Sequence, residues 1–269
     1  MTEDLRALRD DLTVGTLEIR GRIMPASNAT FLAEVATPAG PVPCVWKPVA
    51  GERPLWDFPL GTLAEREVAA YAVSVATGWD VVPLTLLREG PHGVGMLQVW
   101  QEPVDDPEGR DAVDLCPPGE VPPGYRSVLE AEDGAGNDVV LVHDESPALR
   151  RMSVFDVVVN NADRKGGHVL AMADGHRYGV DHGICFHSDY KLRTVLWGWA
   201  DEPLTGEETD VLARLSEELL PGGPLAEELS DLVADVELDA LRARCRRLLR
   251  EGRLPSPAGH WPAVPWPAF

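Results

Sequence analysis

Two short polar motifs bracket a hairpin-like stretch of this 269-residue chain. The first, Asn160-Asn161-Ala162-Asp163-Arg164-Lys165, runs on to His168, and the second is Asp181-His182-Gly183. Between them lie Val169 to Met172, a turn at Ala173-Asp174-Gly175-His176, and Tyr178-Gly179-Val180. Two carboxylates at opposite ends of a β-hairpin suit phosphoryl transfer from a nucleoside triphosphate. Asp163 would orient or deprotonate the acceptor hydroxyl. Asp181 would ligate Mg2+, which prefers carboxylate and phosphate oxygens. His168, five residues past Asp163, offers a second, neutral ligand. Imidazole is a softer ligand than Mg2+ usually selects, which leaves room for Mn2+.

Such chemistry also needs a cation on the phosphates. The chain holds 24 basic residues, and only Lys47, Lys165 and Lys191 are lysines. Lys47 sits mid-strand in Val42-Pro43-Cys44-Val45-Trp46-Lys47-Pro48, where an idle charge would be costly. A lysine acts on phosphate as a point charge. Its acidic partner is expected on the helix that follows. Glu67, with Leu63 and Tyr71 four residues to either side, faces inward. Glu65 reads instead as the partner of a Thr62 N-cap. Lys165 is placed to neutralise the transferred phosphoryl charge. The turn Ser27-Asn28-Ala29-Thr30 has small residues whose backbone N–H groups would approach phosphate oxygens.

The elements that must position these residues follow from periodicity. Residues 3–12 read as a helix, 14–23, 31–35 and 42–48 as strands, and 62–77 as a helix closed by Gly78. Strand-like runs follow at 81–87 and 94–101. Residues 103–125 carry six prolines and no periodicity, and read as a linker or long loop. A small hairpin is expected over 127–142 and a helix over 147–159. Residues 206–220, 223–236 and 238–251 read as amphipathic helices, and the Pro- and Trp-rich tail as irregular. The expected organisation is α+β and bilobal, with an N-lobe at 1–102, the connection at 103–125 and a mainly helical C-lobe at 126–269.

A rival constellation, His168, His176, His182, Cys185 and His187, crowds one region but has no standard zinc spacing. The net charge of −20 argues against nucleic acid as a partner and against stable membrane association. The arginines of 242–250 read as a solvated helical face. No apolar run of transmembrane length and no secretory leader is evident. Four scattered cysteines without CxxC spacing fit a reducing cytoplasm.

Taken together, Asn161-Ala162-Asp163-Arg164 and Asp181-His182-Gly183 resemble the catalytic and metal-binding motifs of the phosphatidylinositol 3-/4-kinase-like group, especially type II phosphatidylinositol 4-kinases. Phe155-Asp156, Glu67 to Tyr71, Val81 to Thr85 and Met96 to Val99 also look like that group's helix, strand and hinge segments. Over roughly residues 14 to 200, the chain is similar to an actinobacterial family distantly related to those kinases. The resemblance implies a protein-kinase-like fold and ATP between the lobes, with Gln98, Val99 and Trp100 at the hinge around adenine. It implies Asp163 as catalytic base and Asp181 with His168 facing the metal. The lipid kinases carry asparagine where this chain has His168. No palmitoylation patch or basic membrane face accompanies the motifs, and the same fold serves secretory-pathway kinases. The expected activity is phosphoryl transfer from ATP to a protein or small soluble acceptor, including this chain itself. The alternatives are a phosphoinositide kinase and a nucleotide-binding pseudokinase that regulates a partner.

Overall fold

The computed structural model describes residues 2–24, 26, 28–53, 55–59, 61–104, 111–257 and 262–269. Helix α1 (Glu3–Val14) leads into five antiparallel strands. These are β1 (Leu17–Arg22), β2 (Phe31–Thr37), β3 (Gly40–Pro48), β4 (Thr85–Gly90) and β5 (Gly93–Val99), in the order β1-β2-β3-β5-β4. Lys47 pairs with Met96 in the β3–β5 ladder, so the lysine is fixed in a central strand. Between β3 and β4 runs helix α2 (Leu63–Thr77).

Local chemistry sets the bounds of α2. Thr62 and Glu65 form a reciprocal capping box, and Gly78 ends the helix in the left-handed region that a side chain resists. Glu52 adds a second cap, because its carboxylate accepts the N–H groups of Leu63 and Ala64 at 3.0 and 2.8 Å. The helix is buried nearly all round, with Ala69, Ala70 and Val73 fully enclosed. Its Arg66 donates to the Cys185 carbonyl and pairs with Glu237 at 2.6 Å, tying α2 to the second half of the chain.

That second half begins with an antiparallel sheet in the order β6-β8-β7: β6 (Val113–Cys116), β7 (Tyr125–Glu132) and β8 (Asp138–Asp144). Strand β6 lies inside the Pro-rich stretch, where its four residues are too short to show a period among the prolines. Helix α3 (Pro147–Val159) carries Phe155 and Asp156 in its buried face. The hairpin between the two motifs is real and short: β9 (Val169–Ala171) pairs with β10 (Arg177–Gly179). Helices α4 (Gly206–Glu218), α5 (Pro224–Ser230) and α6 (Asp235–Glu251) complete the lobe. Helix α5 is seven residues long, shorter than its sequence period, and α6 starts earlier. Arg242 and Arg244 of α6 donate to the carbonyls of Leu219 and Val158, so that face is partly structural rather than simply solvated.

The architecture is therefore α+β in two lobes: a five-stranded sheet with α2 above, and a helical body with its own small sheets below. Among the described residues no helix is long and apolar enough to cross a membrane.

Candidate active site

Lys47 reaches from β3 to two carboxylates at once. Its Nζ lies 2.8 Å from Glu67 Oε1 and 3.0 Å from Asp181 Oδ1. Burial pulls the ammonium toward neutrality, but Asp181 and Glu67 outweigh it and hold the lysine above its ordinary range. Asp181 is driven the opposite way, well below the usual carboxylate range, by Lys47 against the cost of burial. Both groups are therefore charged. Glu65, by contrast, is spent on its cap, where Oε2 accepts the Thr62 N–H at 2.7 Å.

Beneath them, one buried guanidinium organises both motifs. Arg164 is fully enclosed and pairs with Asp156, which also accepts from Asn161 and Thr194. Its Nη1 donates to the carbonyls of His168 and Val180, and its Nη2 lies 2.6 Å from His182 Nε2. A methyl on Gly179 would sit 2.9 Å from Nη2, so only glycine admits the guanidinium there. With Arg164 turned inward, Asp163 faces the cleft. Its N–H is held by Asn161 Oδ1 at 3.0 Å. Asn160 ends α3 in the left-handed region, and its amide donates to the carbonyls of His187 and Asp189.

Burial raises the Asp163 carboxyl above its ordinary value, and Lys165, 3.3 Å away, pulls it back in part. Its remaining elevation suits a group that must take a proton. His168 places Nε2 3.5 Å from Asp181 Oδ2. Burial lowers its pKa to about 4, and its Nδ1 is buried with no hydrogen-bond partner. Neutral imidazole beside an ionised carboxylate is a competent donor pair for a divalent cation.

Two cavities meet at Asn28, Lys47, Asp163 and Asp181. The larger, about 510 Å3, extends to Gln98, Val99 and Trp100 at the end of β5 and is bounded by Val45 and Val180. The smaller, about 290 Å3, runs beneath Arg53 and Leu55 to Gly183 and Ile184. The larger has the size and the mixed lining of a nucleotide site, with apolar walls and a cation with carboxylates at its far end. The residues present thus fit a nucleotide with a divalent metal.

Not every expected residue offers its side chain to that space. Gln98 donates to Thr85 Oγ1, and the Trp100 indole donates to Glu102. The N–H groups of Val99 and Trp100 are taken by the carbonyls of Leu84 and Pro43. In the turn over the site, Ser27 lies outside the described residues. Asn28 Oδ1 accepts the Arg53 N–H at 2.9 Å, and Ala29 N–H is bonded to Gly51 O. Lys191 stands apart, paired with Asp57 at 3.2 Å.

The rival constellation does not converge. Among the described residues no three His, Cys, Asp or Glu side chains are grouped to hold a metal. His176 bonds the Asp80 carbonyl, and His182 faces Arg164. Missed by sequence reasoning was the support beneath the site: Arg164 entered only as a motif residue, and its pairing with Asp156 and the part of Thr194 emerge when the fold assembles them. The alternation of Asp163 and Arg164 between an apolar helix and a hairpin was the available signal.

The chain is 54% identical over 272 residues to Protein Rv2133c of Mycobacterium tuberculosis, covering 97% of each. It is 26% identical over 176 residues to phosphatidylinositol 4-kinase gamma 3 of Arabidopsis thaliana. That match takes in 59% of this chain but only 29% of the plant protein. No family model matches the chain. Among solved structures, a Golgi casein kinase with Mn and ADP bound superposes with a TM-score of 0.56 at 13% identity, over 93% of this chain and 76% of that one. A second structure of the Golgi casein kinase gives 0.54 at 12% identity, over 96% and 80%. The fold is protein-kinase-like.

Proposed function

The chain belongs to the family of Protein Rv2133c of Mycobacterium tuberculosis, and we propose that it is an ATP-dependent kinase acting on a protein or small soluble acceptor. The observation that carries this reading is the Lys47 bridge. One cation joins Glu67 to Asp181 at 2.8 and 3.0 Å, at the junction of two cavities that Asp163 also lines. Phosphoryl transfer asks a protein for positioning and for charge neutralisation, and this arrangement supplies both.

In this reading residues 1–102 form the nucleotide lobe and 126–269 the lobe with the catalytic loop. Residues 103–125 connect them, with β6 fastened to the second lobe. The larger cavity would hold ATP, with Gln98, Val99 and Trp100 around adenine and Asn28 in the turn above. Bound ATP with Mg2+ or Mn2+ supplies the γ-phosphoryl group and masks its charge. Asp181 and His168 would hold the metal. Lys47, steadied by Glu67, holds the phosphates. Asp163 would orient the acceptor hydroxyl and take its proton as that oxygen bonds to the γ-phosphorus and the bond from phosphorus to the departing ADP breaks. Lys165 offsets charge on the moving phosphoryl group.

The smaller cavity lies across the four shared residues from Gln98, Val99 and Trp100, and in this reading it would take the acceptor. Its walls favour a small acceptor. A phosphoinositide headgroup is the second reading, favoured by the similarity to the plant phosphatidylinositol 4-kinase. Among the described residues no membrane-spanning helix accompanies it.

The test is transfer of labelled phosphate from ATP with Mg2+ or Mn2+, for the wild type, Asp163→Ala and Asp181→Ala. Loss of transfer in both variants is expected, and unchanged transfer in both would remove this site from consideration. Phosphoinositide-containing liposomes in a parallel reaction separate the two acceptor classes. ATP binding without turnover, unchanged in Asp163→Ala, would mark a pseudokinase instead.

A further inference from the structure

Residues 262–269, Pro-Ala-Val-Pro-Trp-Pro-Ala-Phe, run outside any helix or strand along the underside of the catalytic loop. One end is fastened at Ala263, whose carbonyl accepts both the Thr194 N–H at 3.0 Å and the Trp197 indole N–H at 2.8 Å. Pro265 is buried. At the other end the Ala268 carbonyl accepts the Gly166 N–H at 2.8 Å. The Phe269 ring then lies flush on Gly166, since a methyl there would come within 2.6 Å of ring carbons Cδ1 and Cε1.

This contact explains a glycine that backbone geometry does not. Gly166 is not among the residues with positive φ, so any L-residue could adopt its conformation. What a side chain would strike is the Phe269 ring, which must shift to admit it, with Val113 Cβ 3.4 Å from the same methyl position. Gly166 and Gly167 stand between Lys165 and His168. Two adjacent glycines would otherwise leave that turn the loosest part of the loop.

The segment does not enter the cleft. None of residues 262–269 lines either cavity, whereas Asp163, Lys165, Gly167 and His168 line the larger one. A segment that blocked the acceptor or nucleotide would stand in one of those cavities. This one grips the loop from behind, through Gly166 on the motif itself and through Thr194, whose neighbour Arg193 accepts the Arg164 N–H.

We propose that residues 262–269 are a positioning strap: Ala268 and Phe269 fix the Gly166-Gly167 turn and thereby set Lys165 and His168 relative to Asp163 and Asp181. Neither strap residue touches substrate; both act through the loop. The consequence for turnover rests on the kinase reading above, but the mechanical claim does not. A loop displacement of about 1 Å is enough to cost on the order of 100-fold in rate when reacting groups must be aligned.

The experiment uses the full chain with Phe269→Ala, Gly166→Ala, and both together. Phe269 is 49% exposed, so its truncation leaves folding intact. Hydrogen exchange of the nucleotide-free protein is read at amides 163–168. The strap predicts exchange faster by about tenfold or more in each single variant. It also predicts no further loss when Gly166→Ala is added to Phe269→Ala, because the ring that the methyl would strike is gone. With ATP, turnover falls in Phe269→Ala while the dissociation constant for ATP stays within about threefold, a split that general destabilisation does not produce. Unchanged exchange at 163–168 in Phe269→Ala would overturn the strap, as would a rise in turnover, which would make the segment an inhibitor. A wild type that binds no ATP would overturn the kinase reading alone and leave the exchange result to decide the strap.

Discussion

Glu67 uses its two carboxylate oxygens on different halves of the molecule. Oε1 holds Lys47 Nζ at 2.8 Å, and Oε2 accepts the backbone N–H of His182 at 2.9 Å. The glutamate therefore couples the β3 lysine to the segment that presents Asp181. Glu67→Ala breaks both connections and leaves a partly buried ammonium with one partner. We expect about 1–3 kcal/mol of lost stability, read as a lower denaturant midpoint. Phosphate transfer should fall by about 100-fold, because the cation loses its fixed position. Glu67→Gln keeps an acceptor for the His182 N–H but turns its NH2 toward Lys47, and should recover part of the stability without the activity.

If Asp163 is the base proposed above, it should set the acid limb of the pH profile. Burial raises its carboxyl above the ordinary value, and Lys165 opposes that rise. A base must be deprotonated to act, so activity disappears as pH falls through a value higher than that of a free aspartate. Lys165→Met removes the opposing charge and should move the limb upward. A limb that stayed in place in the kcat/KM profile would separate Lys165 from Asp163 electrostatically.

Three histidines tie stability to pH. His143, His168 and His182 all have pKa values lowered below 6.5, with burial the largest cause in each. The unfolded chain binds these protons more readily. The stabilisation from keeping the rings neutral is present above about pH 6.5 and is lost as pH falls toward their folded values. The melting temperature should therefore drop between pH 7 and 5. His182→Gln, which keeps an acceptor for Arg164, should flatten that drop.

His168 should bias the metal. Neutral imidazole beside Asp181 favours Mn2+ over Mg2+ more than an amide would. His168→Asn should weaken Mn2+ binding on the order of tenfold while sparing Mg2+. Titration followed by Mn2+ paramagnetic resonance with ATP present measures this directly, and equal losses for both ions would contradict it.

Much of this arrangement was legible before any coordinates. The α2 cap was readable because Thr62 and Glu65 carry a local signal, and Gly78 because a left-handed terminus demands it. The partner of Lys47 followed from excluding Glu65, which its own cap consumes. The hairpin showed in its turn residues. Other features depended on distant segments meeting. Strand β6 is defined by its β8 partner rather than by its four residues. Arg164 is a buried keystone only because α3 brings Asp156 beneath it. Nothing near Gly166 in sequence announces a phenylalanine more than a hundred residues later.

Arg164 also has a mechanical meaning. Its guanidinium spans Asp156, the carbonyl of His168 and the carbonyl of Val180, the residue before Asp181. Asp163 and Asp181 thus hang from one girder, and the gap between them is a fixed gauge of the lower half of the protein. Lys47, on the strand above, meets this fixed floor through Asp181 at 3.0 Å.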